Sequence, residues 1–144
     1  MHSILKIIPL ILYFIVGLIS LSMSIKTLFS KKFLPFHEKA SGIPWEEIDH
    51  RLKQVILAML RLSGLGFLIV ALLLTVMPIV TFYNPDSFFT YAIPLLGLFF
   101  CTGLFAINFK LYRNTGSETP WRESLYAMSC ILAGIVLSLY SSGR

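Results

Sequence analysis

The sequence predicts an all-α membrane protein, an antiparallel four-transmembrane-helix bundle with a long, cytoplasmically extended second helix. Three observations predict it. Of 144 residues, 56% are hydrophobic and only 13% are charged. A soluble domain carries about 25% charge, and one core of this size cannot enclose so much apolar surface. Four stretches, 7–25, 62–80, 88–109 and 125–143, hold no charged side chain. Each is close to the roughly 20 residues that cross a bilayer as helix. Finally, lysine and arginine collect on alternate connections between these stretches, as cytoplasmic loops require.

In hydrocarbon the backbone must satisfy its own hydrogen bonds, which leaves helices or a closed barrel. No strands of alternating polarity occur, so the barrel is excluded. The chain reads as one transmembrane domain, 1–144, with spans at about 4–29, 55–82, 88–111 and 121–141. A cytoplasmic amphipathic segment fills about 30–54.

The first run, with Lys6 before it and Ser20, Ser22 and Ser24 after it, has some features of a signal peptide. It is too long for an h-region and lacks an A-x-A-like cleavage site, so it is read as a retained span. The segment after it, Lys31-Lys32-Phe33-Leu34-Pro35-Phe36-His37, mixes cations and aromatics as membrane interfaces do. At Ile43-Pro44-Trp45-Glu46-Glu47, proline and two carboxylates suit a first helical turn. Apolar residues then recur at Ile48, Leu52, Val55, Met59 and Leu62. The second helix is therefore expected from near Trp45 to about Phe82, roughly 57 Å. The alternative is a separate interfacial helix before the span, with Gly64 and Gly66 as a further bend. Tyr83 to Ser87 makes a short turn, and Asn114-Thr115-Gly116-Ser117 makes the last one.

Ten cations, Lys26, Lys31, Lys32, Lys39, Arg51, Lys53, Arg61, Lys110, Arg113 and Arg122, lie on the side of the first and third connections. Lys6 and Arg144 lie opposite. That bias predicts that the first and third connections are cytoplasmic and that both termini face outward, which in a bacterium means the periplasm. The same placement makes the net charge of +5 a topology and lipid-surface signal, and nucleic acid is excluded as a partner.

Helices in lipid associate through small residues. Stripes of them occur at Gly17, Ser20, Ser24 and Thr27; at Gly64, Ala71 and Thr75; at Gly97, Cys101 and Asn108; and at Ala127, Cys130, Gly134 and Ser138. They suit a bundle, and the last also suits a homodimer face. Cys101 and Cys130 fall at similar depth, but no C-x-x-C supports redox work, and small buried residues explain them.

Arg61 is the residue most able to carry chemistry, because charge within a span is costly and normally partnered. Helical steps back from it reach Gln54, His50 and Glu46 or Glu47, and steps forward reach Gly64, Ala71 and Thr75. A polar stripe is therefore expected to run into the packing seam. The predicted ligand site at the cytoplasmic end comprises His37, His50, Gln54 and Arg61, with Glu123, Glu118 or a lipid phosphate pairing Arg61. Pairs at i,i+4, Glu47 with Arg51 and Asp49 with Lys53, account for other charges. No metal motif and no cofactor motif appears. No carboxylate lies in a span, which argues against proton-coupled exchange.

The pattern Phe33-x-Pro35-x-His37, Gly42-x-x-Trp45-Glu46-Glu47, Arg51 to Arg61-x-x-Gly64, and Thr119-Pro120-Trp121-Arg122 resembles small uncharacterised four-span bacterial integral membrane proteins over most of the chain. A more distant likeness to DoxX-like four-helix membrane proteins rests on architecture. The resemblance implies fold and membrane location, and no activity. The expected role is to bind a lipid, a hydrophobic small molecule or a membrane-protein partner, with a homo-oligomer open. The rival readings are a membrane enzyme acting on a lipid or quinone through His37, His50 and Arg61, and an oligomeric transporter component. For the last, Leu68, Leu72 and Leu74 supply no polar path within one protomer.

Overall fold

Each uncharged run folds as one long helix in a computed structural model that describes residues 2–84 and 88–142. Among them are five α-helices: α1 (His2–Leu28), α2 (Pro35–Ser41), α3 (His50–Tyr83), α4 (Phe89–Thr115) and α5 (Trp121–Ser142). Four of these, over Ile7–Leu28, His50–Val80, Phe89–Thr115 and Trp121–Ser141, are long and apolar enough to cross a membrane. Their outer faces are as apolar as the interior. Leu62, Ile69 and Phe99 are 70%, 60% and 80% exposed, while Leu74 and Ile131 are fully enclosed. Such a surface suits hydrocarbon and would aggregate in water.

The four long helices close a ring. α1 packs against α3 and α5, and α4 packs against α5 and α3. At the centre, Tyr13 and Val16 of α1 meet Val70 and Leu74 of α3, Cys101 of α4 and Ile131 of α5. Both cysteines are free, Cys101 buried and Cys130 half-buried beside this cluster.

The α1–α3 seam explains why small residues stand where they do. A Cβ on Gly17 would lie 2.8 Å from Thr75 Cγ2 and 3.2 Å from the Leu74 carbonyl carbon. A Cβ on Gly64 would lie 2.7 Å from Thr27 Oγ1 and 3.0 Å from the Leu28 nitrogen. The backbones touch at these two levels, and the Ser24 hydroxyl donates to the Gly64 carbonyl at 2.9 Å. Ser20 and Ala71 are buried in the same seam. On α5, Gly134 makes room for the Tyr13 ring, whose Cε1 would stand 2.5 Å from an added Cβ. Gly97 on α4 admits Leu74 and Ile131, and Ser138 is half-buried.

Two boundaries differ from the sequence expectation. The long helix begins at His50, after a separate 3-10 turn at Trp45–Glu47. Ile48 is extended (φ −74°, ψ 137°), and the Asp49 carboxylate accepts from the Arg51 and Leu52 nitrogens at 2.8 and 3.4 Å. Asp49 is thus an N-cap that wins over the Pro44 start signal. Even so, α3 is the longest helix at 34 residues. At the other boundary, α4 continues to Thr115, four residues beyond the expected span. Gly116 then takes a left-handed conformation (φ 67°) and donates to the Tyr112 carbonyl at 2.8 Å, a C-terminal cap that glycine adopts without strain. The expected turn after Asn84, at 85–87, lies outside the described residues, as do Met1 and Arg144.

Candidate functional site

The segment between α1 and α3 folds back over one end of the bundle. Pro35 opens α2, where its missing N–H costs nothing, and Gly42 closes it in the left-handed region (φ 65°), donating to Glu38 O at 3.1 Å. The Ser117 hydroxyl donates to the Lys39 carbonyl at 3.0 Å. Lys39 Nζ stands 3.9 Å from Glu118 Oε2. Both side chains are exposed, so this pair adds at most about 1 kcal/mol. Phe33 lies edge-on to Trp45, with centroids 5.1 Å apart, and the His37 imidazole sits against Phe36 at 4.0 Å.

Beneath this cover lies a partly open cavity of about 350 Å³. α1 contributes Met23 and Thr27 to its wall, α3 contributes Leu60, Ser63 and Phe67, and α4 contributes Leu104, Ile107 and Asn108. Phe36 and His37 close it from α2. His37 is the one titratable side chain in the lining. Its Nδ1 is buried and has no hydrogen-bond partner among the described residues. Burial without a counter-charge holds its pKa below the usual value, so the ring is neutral near pH 7.

The predicted site residues do not converge. His37 lines the cavity, whereas His50, Gln54, Arg61 and Glu123 are exposed and outside its lining. The stripe from His50 through Gln54 to Arg61 faces outward and does not run into the seam. The buried edge of α3 is Leu60, Gly64 and Ala71, and Arg61 stands about 100° around the helix from Leu60. Arg61 forms no ion pair with Glu118 or Glu123, and Glu118 faces Lys39. Of the expected i,i+4 pairs, Asp49 with Lys53 is replaced, and Glu47 ends in the 3-10 turn before α3, off the helix that carries Arg51. Asp49 is the helix cap, and Lys53 Nζ donates to the Glu46 carbonyl at 3.1 Å above the Trp45 ring. Among the described residues no group of three or more His, Cys, Asp or Glu is placed to hold a metal ion.

Sequence reasoning missed Phe67, Leu60 and Leu104 because an apolar cavity wall and a lipid-facing surface use the same residue types. Asn108 carries a usable signal, a lone carboxamide within an uncharged run, although its spacing alone places it on a packing stripe.

No protein-family model, curated protein or solved structure matches this chain.

Proposed function

We propose that this chain is a bacterial inner-membrane bundle that holds a lipid or lipid-like small molecule in the cavity under α2. The cavity itself carries the reading. Its volume falls within the roughly 300–1,000 Å³ of small-molecule sites, and its largely apolar wall with few polar groups is their usual makeup. The charge bias sets α2 and the α4–α5 connection on the cytoplasmic side, with both termini periplasmic. The ligand then enters from the inner leaflet. Arg61, exposed and without an ion pair among the described residues, reaches a phosphate of the surrounding lipid instead of a bound ligand. The two-histidine enzyme draws no support, because an acid–base pair needs both groups within hydrogen-bond reach of one substrate and His50 lies outside the cavity.

Native mass spectrometry after gentle detergent extraction tests the proposal. The wild-type chain is expected to retain an amphiphile that a cavity-filling Leu104→Trp variant of similar melting temperature loses. Equal retention by both, or none by the wild type, contradicts it.

A further inference from the structure

The polar atoms of the cavity narrow the chemistry of its occupant. Four polar side chains line it: Thr27, Ser63, His37 and Asn108. The first two are already engaged within their own helices. Thr27 donates to the Met23 and Ser24 carbonyls at 2.9 and 3.1 Å, and Ser63 donates to the Met59 carbonyl at 3.0 Å. The other two are not engaged. Among the described residues, His37 Nδ1 is buried without a partner. The Asn108 carboxamide makes no hydrogen bond among the described residues, although its backbone carbonyl accepts from Thr119 Oγ1 at 2.8 Å. A buried polar atom left unpaired is costly. The His37 and Asn108 side chains thus bring hydrogen-bonding capacity to a cavity whose hydroxyl groups are already paired.

The charge of the occupant is constrained as well. Among the described residues the cavity lining contains no lysine, arginine, aspartate or glutamate, and a neutral His37 supplies no cation. An anionic or cationic head group would lose its hydration there without a counter-charge, which is strongly unfavourable. A hydroxyl donates and accepts at once. It matches a carboxamide and an imidazole nitrogen in either tautomer.

Resting on the cavity as a binding site, we propose that its ligand is a neutral, hydroxyl-bearing amphiphile. The hydroxyl lies between His37 and Asn108, and the apolar body lies against Leu60, Phe67 and Leu104. Phospholipid head groups are excluded from the cavity, and Arg61 meets them on the outer surface.

The test compares two probes that share one chain and a glycerol: 1-oleoylglycerol, and 1-oleoyl lysophosphatidate, which adds a phosphate. Equilibrium binding of each labelled probe is measured on the full chain in maltoside micelles. The neutral probe is expected to bind at least tenfold more tightly. His37→Phe and Asn108→Leu should each weaken it about threefold to tenfold, the effect of one lost hydrogen bond, and leave the anionic probe unchanged. Equal or tighter binding of the lysophosphatidate overturns the head-group assignment, as does indifference to both substitutions. The wild-type preference needs no variant, so it decides the matter even where a substitution prevents folding. If neither probe binds, or if Leu104→Trp leaves binding of both intact, the cavity itself is not the site and the broader reading fails with it.

Discussion

Two side chains at the same end of the bundle have opposite environments, and the difference is testable one residue at a time. His37 is desolvated beside Phe36, and its folded-state pKa lies below the ordinary value of about 6.5. The unfolded chain therefore binds this proton more readily. The stability from a neutral His37 is complete above about pH 6.5 and is lost as pH falls through the depressed folded value. Melting temperature should drop between pH 7.5 and pH 5 by more in the wild type than in His37→Gln, and parallel curves would contradict the burial described. Arg61, by contrast, is exposed. Arg61→Leu is expected to leave 1-oleoylglycerol binding unchanged and to remove about 1 kcal/mol of the stabilisation that added phosphatidylglycerol confers. A thermal-shift titration with that lipid measures it. The sequence marked both residues but assigned them to one site. Helical stepping from Arg61 reached Gly64 correctly as a neighbour, yet a residue about 100° off a seam already faces outward.

At the scale of elements, the seams were more legible than the ends. Small residues at helical spacing mark where two backbones meet, because only they allow contacts as close as those at Gly17 and Gly64. Gly17→Leu and Gly134→Leu should each destabilise by about 1–3 kcal/mol or more through overpacking. Gly103→Ala, with nothing within 4 Å of the added carbon, should be neutral. Steric-trap or denaturant unfolding in micelles distinguishes the three, and equal effects would contradict the seam assignment. Helix ends were harder to locate. Pro44 with Glu46 and Glu47 signals a helix start, but Asp49, five residues after Pro44 and read from the sequence as a partner of Lys53, caps Arg51 and Leu52 and starts the helix instead. The amphipathic segment read as one unit is thus α2, a turn and a cap. Its fold-back over the bundle depends on contacts such as Ser117 with Lys39, 78 residues apart, which no local pattern encodes.

For the whole molecule, composition and four uncharged runs were enough to give an all-helical chain with four membrane-length helices. The cavity was not legible, because it arises where α1, α3 and α4 leave space beneath α2, and its walls are ordinary membrane residues. The charge bias makes a global prediction. In a background lacking Cys101 and Cys130, single cysteines at Ser30 and Ser117 should react with a membrane-impermeant maleimide only after inner-membrane vesicles are inverted, and labelling from the periplasm would reverse the topology. The central claim is that the space under α2 is an occupied binding site. An experimental structure of the chain in lipid nanodiscs tests it most directly. The account predicts elongated non-protein density running from His37 and Asn108 to Phe67. A cavity closed by inward packing of α2 against Leu60 and Leu104, with no such density, would contradict it.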